Sequence, residues 1–393
     1  MRQTMLGLCL FFACSIHAVG QDRPKTESLA AEMQTMKDTS IQDIQERISA
    51  LEKKLDDLQQ TSTKPSTPSV QFSGLAYLYY SYSLEGTDGR YANKFDFDRM
   101  YLTAQGTITN DIKYVYTTDV YRDTALNEDY GLSIRVKLAY FDYAPVSEVS
   151  IKGGVIPNMW TGFVDSYWKY RGISTNFVDK NGFYKSTDLG VSGQYSFPGK
   201  LGDVSAYILN GDGYSSREQN RFKDVAARLN LTPFKEIPVL NNMTFAGYGY
   251  KGANATTTGV ALQKDRAGFL IGYADSYFSV YAEGEKRWDG AVKPDSVITG
   301  SGISFFGEIK TPMETLKNKF SLVVRLDVCD PNVNKGGDMS RFVILGAAYH
   351  CNDKFVLVLD NQSLFAETST MKVVNGTKVD YDGRWFIHTI INF

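Results

Sequence analysis

From Val70 onward, apolar residues recur at every second position in long segments separated by turn residues. That period is the one a β-strand imposes, because successive side chains leave opposite faces of the sheet. Phe72, Gly74, Ala76, Leu78 and Tyr80 share one face of the first segment. Ile112, Tyr114, Tyr116 and Val120 oppose Lys113, Thr117 and Asp119. Leu132, Ile134, Val136, Leu138 and Tyr140 oppose Ser133, Arg135 and Lys137. Val225, Ala227, Leu229 and Leu231 alternate with Ala226, Arg228 and Asn230, and Leu322, Val324, Leu326 and Val328 with Arg325 and Asp327.

The alternation predicts sixteen strands, at 70–84, 94–108, 111–123, 131–144, 147–156, 187–197, 202–210, 222–232, 241–251, 261–274, 276–287, 299–310, 319–329, 339–350, 354–362 and 382–393. Their connections alternate long and short, the pattern of a barrel with short turns at one end and longer loops at the other. A soluble β sandwich or β helix would explain the alternation but not this asymmetry. Segments of ten or more residues also fit a tilted crossing of a bilayer better than an ordinary soluble strand. The fold class predicted is therefore all-β: a sixteen-stranded antiparallel transmembrane barrel of the outer-membrane kind. Strands on this scale place outward Met100, Leu102, Ile134, Val136, Leu229 and Val324 against lipid.

Composition agrees. The chain has 25 Tyr, 23 Phe and 34 Gly, and no stretch after residue 20 is apolar enough for a membrane helix. A net charge of -2 argues against a nucleic-acid partner.

The segment before the barrel reads differently. Arg2, the apolar run Met5–Ile16 and Ala18-Val19-Gly20 have the order of a signal peptide over 1–20. Ile41, Ile44, Ile48, Leu51, Leu55 and Leu58 then form a heptad seam, with polar residues filling the other positions. The expectation is a periplasmic coiled-coil helix over 21–60 and an extended Thr/Ser/Pro linker over 61–69, leaving 70–393 as the barrel domain. Signal cleavage leaves Cys329 and Cys351, read as unbridged because they fall at strand ends on opposite sides of the membrane. The final strand runs outward through Trp385, Ile387, Thr389 and Ile391 to Phe393.

Several stretches resemble the phosphate-selective porin O and P family of Gram-negative outer membranes, in the branch with an N-terminal coiled coil. They are Asp98-RMYLTAQGTITNDIKY114, Gly154-VIPNMWTGFVDSYWKYRG172, Asp188-LGVSGQY195, Asn210-GDGY214, Lys223-DVAARLNLTPF234 and Arg325-LDVCDPN332. The resemblance runs over about 70–393 and is strongest in 98–234. It implies a trimeric barrel that passes small solutes, with anion selectivity carried by basic residues along the pore. This chain shows no basic run in the corresponding inward loop, so the family's selectivity residues do not transfer.

Charges are costly on a lipid face, so strand charges at mid-depth must point inward. The pore-lining residues predicted are Arg99, Lys113, Asp119, Arg135, Lys137, Lys152, Arg228, Arg325 and Asp327, with Glu308 beside them. They either solvate the lumen and pair across strands, or set up a field that orients solutes. The longest loop, 157–186, is rich in aromatics that should not stand in solvent. It is expected to fold into the barrel rather than to pack at a trimer contact. Trp160, Trp168, Lys169, Tyr170 and Arg171 are its constriction candidates, with the aromatics placed to stack on sugar-like solutes. Asn210-Gly-Asp-Gly213 reads as a turn.

The function expected is a porin for passive diffusion of small hydrophilic solutes, with an anion or phosphate preference, no enzymatic activity and no cofactor. Its partners would be outer-membrane lipid, two further copies in a homotrimer, small solutes or anions, and peptidoglycan through the coil. The alternative is a structural anchor that tethers the envelope through the coil, which would tolerate a plugged lumen. An outer-membrane hydrolase would need a Ser/His pair, and neither His350 nor His388 has an evident partner in the sequence.

Overall fold

The computed structural model describes residues 43–54, 70–83, 93–122, 131–255, 261–291, 296–312, 316, 319–367, 372–374 and 377–393. The expected signal peptide, the linker and most of the heptad segment lie outside them. The described residues fall into two units, a helix and a barrel. The helix, α1, covers residues 43–54. Its heptad residues Ile44, Ile48 and Leu51 are 54%, 49% and 64% exposed, so the described residues do not cover this part of the seam.

The barrel is built from β1 (Val70–Ser83), β2 (Asn93–Thr107), β3 (Ile112–Arg122), β4 (Leu132–Tyr143), β5 (Val149–Pro157), β6 (Thr187–Ser196), β7 (Gly202–Leu209), β8 (Asp224–Leu231), β9 (Met243–Ala255), β10 (Ala261–Ala274), β11 (Phe278–Gly290), β12 (Val297–Lys310), β13 (Phe320–Asp330), β14 (Ser340–Asn352), β15 (Phe355–Ala366) and β18 (Tyr381–Asn392). Each strand pairs antiparallel with its neighbours, and β1 pairs with β18 to close the ring. Closure leaves no open edge, which a bilayer requires. All sixteen predicted strands are present. A small hairpin, β16 (Lys372–Val374) with β17 (Thr377–Val379), was not foreseen in the last long loop.

The seam between β1 and β18 is completed by a reciprocal pair of bonds. Gly74 N donates to Phe393 O at 2.8 Å, and Phe393 N to Gly74 O at 3.0 Å. The Phe393 ring lies over Gly74 and occupies the space a Cβ there would need.

Three strand ends lie three or more residues beyond expectation. β9 runs on to Ala255, β11 to Gly290 and β15 to Ala366, so the connections after the first two shrink to 256–260 and 291–296. The contrast between long and short connections is therefore weaker in the second half of the barrel than the sequence implied.

The outer face carries the predicted apolar set. Leu102, Ile134, Val136, Leu229 and Val324 are all exposed on it. Met100 shares that face, half-buried between Ala76 and Val120. In β4 the alternation slips. The pairing shifts between Thr117↔Leu138 and Thr118↔Val136, so Lys137 is an extra residue bulged from the ladder. Beyond the bulge the faces exchange. Tyr140 turns inward to pack on the core and Phe141 is exposed outside, the reverse of the expected face for Tyr140. Cys329 and Cys351 are both free thiols at opposite ends of β13 and β14.

Candidate functional site

The connection from β5 to β6, residues 158–186, folds into the barrel. It contains two short helices, α2 (Thr161–Trp168) and α3 (Phe177–Lys180). Lys169 ends α2 in the left-handed conformation, with φ 55°. Asn176 ties the helices together: its Oδ1 caps α3 at Asp179 N, and its Nδ2 donates to Thr161 O and Asp165 Oδ1.

Apolar burial seats the loop. Met159, Trp160, Val164, Phe177 and Val178 are almost wholly buried. Trp160 packs on Tyr248 of β9 with ring centroids 4.5 Å apart, and Trp168 on Phe306 of β12 at 5.7 Å. An irregular loop inside a barrel must also satisfy its backbone carbonyls. The wall supplies the donors. Arg228 Nη1 donates to Met159 O at 3.1 Å, Arg266 Nε to Phe183 O at 3.2 Å, Arg325 Nη1 to Thr175 O at 2.6 Å and Gln362 Nε2 to Ile173 O at 3.1 Å. Side-chain bonds run the other way: Trp160 Nε1 to Glu283 Oε1 at 2.7 Å, and Tyr170 Oη to Glu308 Oε2 at 2.6 Å.

This seat corrects part of the predicted pore lining. Arg228, Arg325 and Asp327 point inward but are sealed behind the loop, at 8%, 1% and 2% exposure. Arg228 and Arg325 hold the loop, and all three side chains are closed off from the lumen. Trp160, Trp168 and Tyr170 are likewise packed against the wall, at 0%, 2% and 5% exposure, so their ring faces are not free to stack on a sugar. Lys113 and Lys152 lie toward the short-turn end on either side of Asp142: Lys113 faces it across the β3–β4 pairing, and Lys152 Nζ is 3.8 Å from its Oδ2. They stand apart from the main cluster.

The remaining predicted residues converge. On the β2–β4 wall, Asp119 Oδ2 accepts from Arg99 Nη1 at 3.1 Å and from Arg135 Nε at 2.9 Å. Asp119 is fully buried, whereas the Arg99 and Arg135 side chains keep 30% and 23% of their surface open. Lys137, pushed in by the bulge, donates to Ser186 Oγ at 3.1 Å. On the loop, Arg171 bridges Asp165 at 2.8 Å and Asp179 at 2.6 Å. The two groups are near enough to act on each other: Arg171, Asp119, Asp179 and Arg99 all contribute to the field at Lys137.

The wall is thus positive and the loop edge facing it carries two carboxylates around one arginine. Hydrogen-bond capacity is left over on the wall. Asp119 Oδ2 takes one N–H from Arg99 and one from Arg135, whose Nη2 also lies 2.9 Å away, while Oδ1 accepts none; the other guanidinium N–H groups and two ammonium protons of Lys137 have no hydrogen-bond acceptor among the described residues. Sequence reasoning missed Asp165, Asp179, Tyr121 and Tyr214. Only Asp165 and Asp179 carried a signal, as acids flanking Arg171 in the aromatic loop.

Both histidines do have partners, contrary to expectation. His350 Nε2 is 3.0 Å from Ser321 Oγ, and His388 Nε2 is 3.1 Å from Asp360 Oδ2. Ser321 is 3% exposed and packed close under Tyr170, whose hydroxyl is 3.5 Å from the same His350 nitrogen.

No known family model matches the chain, and no curated protein matches it in sequence. The phosphate-selective O and P family is therefore not confirmed. Solved structures match in shape. An anion-selective porin from Comamonas acidovorans aligns at TM-score 0.59 with 9% identity, over 83% of this chain and all of that one. The outer membrane channel DcaP of Acinetobacter baumannii aligns at 0.56 with 11% identity, over 84% and 98%. The trimer form of OmpT, an outer membrane protein of Vibrio cholerae, aligns at 0.55 with 14% identity, over 84% and 100%. At such identities what is shared is the fold, and that fold is the sixteen-stranded barrel of outer-membrane porins.

Proposed function

We propose that this protein is an outer-membrane porin for passive diffusion of small hydrophilic solutes, with a mild preference for oxyanions, phosphate among them. It works without cofactor or catalytic step, as a homotrimer exported by its signal peptide, with the coil in the periplasm. The observation that carries the reading is the wall cluster: Arg99 and Arg135 share one oxygen of a single buried carboxylate, beside Lys137. Donors without acceptors among the described residues, partly open to the lumen, favour a solute that brings acceptors. The opposed loop carboxylates Asp165 and Asp179 make the field transverse, and Asp98, 3.9 Å from Arg99, trims it further. The bias is accordingly mild.

The test is single-channel recording of the purified protein in a salt gradient. Replacing Arg135 and Lys137 by Gln moves the reversal potential toward cation preference at low salt. The shift shrinks as salt rises, because the Debye length falls from about 10 Å at 0.1 M to about 3 Å at 1 M. An unchanged reversal potential at low salt removes the cluster from the pore field. No current at all favours the structural anchor, in which the seated loop plugs the barrel.

A further inference from the structure

The turn Asn210-Gly-Asp-Gly213 leads out of β7 toward β8, and its backbone is unusual at two points. Gly211 has φ 98° and Gly213 φ 77°, the left-handed region that favours glycine. Neither has room for a side chain. A Cβ on Gly211 would strike the Asp224 carboxylate, and one on Gly213 would come within 2.7 Å of Lys185 Cγ. The turn is tied down by the wall. Asn210 N donates to Leu189 O at 2.9 Å, Gly211 N to Asp188 Oδ2 at 2.9 Å, and Lys264 Nζ to Gly211 O.

What this turn delivers is Tyr214. Its N–H is fixed to Thr187 O at 3.1 Å, and its ring reaches the β4 cluster. Arg135 Cζ lies 4.8 Å from the Tyr214 centroid and 3.8 Å from that of Tyr121. Lys137 Nζ is 5.4 Å from the Tyr214 ring. A guanidinium has two faces and an edge. With the Tyr121 and Tyr214 rings close to Cζ, and Nε and one side of Nη2 turned to Asp119, the Nη1–Nη2 edge is the part not engaged by the carboxylate.

We infer that Tyr214 is a second constriction element and a specificity-determining residue, swung into the lumen by the glycine turn to hold Arg135 edge-on. An edge of two parallel N–H groups pairs with two oxygens of one anion, so the solutes favoured are carboxylates and other oxyanions over chloride. The inference rests on the reading of the Arg99–Arg135–Lys137 wall as the anion filter. Without the ring, Arg135 gains freedom, folds more fully onto Asp119 and offers less to the solute. The passage also widens.

The experiment uses the full-length channel in planar bilayers, with acetate and chloride as the probe anions. Tyr214→Ala raises conductance and lowers the acetate-to-chloride permeability ratio by about threefold, the size of one partly exposed cation–π contact. Tyr214→Phe restores both, because it keeps the ring. Gly213→Val, which keeps the tyrosine but displaces it, reproduces the alanine phenotype. Heat-modifiable migration on a gel verifies a folded barrel in each case. If Arg135→Gln shifts the reversal potential but Tyr214→Ala changes neither conductance nor the permeability ratio, the inference is overturned. If Arg135→Gln itself has no effect, the underlying filter reading fails instead, and the Tyr214→Ala conductance alone decides whether Tyr214 constricts the pore.

Discussion

Arg325 is folded onto Asp327, two residues along the same face of β13, through Nε to Oδ1 at 2.9 Å and Nη2 to Oδ2 at 2.6 Å. Both side chains are buried, and Ser304 Oγ adds a third bond to the carboxylate at 2.7 Å. The remaining nitrogen, Nη1, holds Thr175 of the inward loop. An inward strand charge thus serves as a neutralised clamp.

Breaking that clamp from one side should cost more than removing it. Arg325→Leu leaves Asp327 buried without its cation, a loss of about 3–5 kcal/mol. Replacing both by leucine is expected to be milder, since no uncompensated charge remains. Thermal unfolding followed by gel mobility measures the order of the two variants, and a double variant weaker than the single one contradicts it.

Asp119→Asn probes the filter from the acidic side. The carboxylate holding Arg99 and Arg135 becomes neutral, so anion preference should rise, opposite in sign to Arg135→Gln. Two guanidinium groups then share a neutral acceptor, and stability should drop by about 1–3 kcal/mol. Reversal potentials of the two variants must move in opposite directions; a shift the same way refutes the assignment.

Asp275 sets the pH response of the turn between β10 and β11. Its carboxyl is held below the ordinary value of 3.8, first by the Phe278 N–H and then by that of Tyr277. The bonds measure 2.9 and 2.7 Å. A depressed carboxyl stabilises the fold above its unfolded value and loses that contribution as pH falls through its folded value. Amide protection at Tyr277 and Phe278 should hold down to about pH 4 and decline below it. Asp275→Asn should flatten the profile, and an unaltered decline would place its cause elsewhere.

The heptad segment should act in assembly, not in transport. Ile44, Ile48 and Leu51 are exposed in the single chain and want a partner. Deleting residues 26–60 is expected to leave single-channel conductance unchanged while lowering the temperature at which oligomers dissociate. A properly inserted oligomer with altered conductance would show that the segment reaches the pore.

The strands were legible because lipid outside and water inside write opposite demands on alternate residues. Where that contrast stops, so did the reading. β9 continues through Gly252-Ala-Asn-Ala255 and β15 through Ser363-Leu-Phe-Ala366, where the alternation fades although hydrogen bonding persists. The bulge at Lys137 left no mark, since it is a property of pairing with β3. Inward charges were also legible, but their fates were not. Arg325 and Arg135 look alike in sequence. Only the seat of residues 158–186 makes one a clamp and leaves the other beside the passage. Aromatic density did announce that the loop turns inward. Nothing comparable marked Tyr214, whose position depends on two left-handed glycines.

The seam at Gly74 and Phe393 also fixes an order of events. Every other pair of neighbouring strands can form as a local hairpin or through one connecting loop. The β1–β18 pair instead joins residues more than three hundred positions apart, a contact whose entropic cost is met only after the intervening strands have paired. Until then the growing sheet has two raw edges, each able to pair with another copy. A bulky residue at position 74 would leave the finished hairpins untouched and delay this last zipping step. Its mark would be a longer-lived open sheet, vulnerable to protease and to aggregation, before the barrel locks.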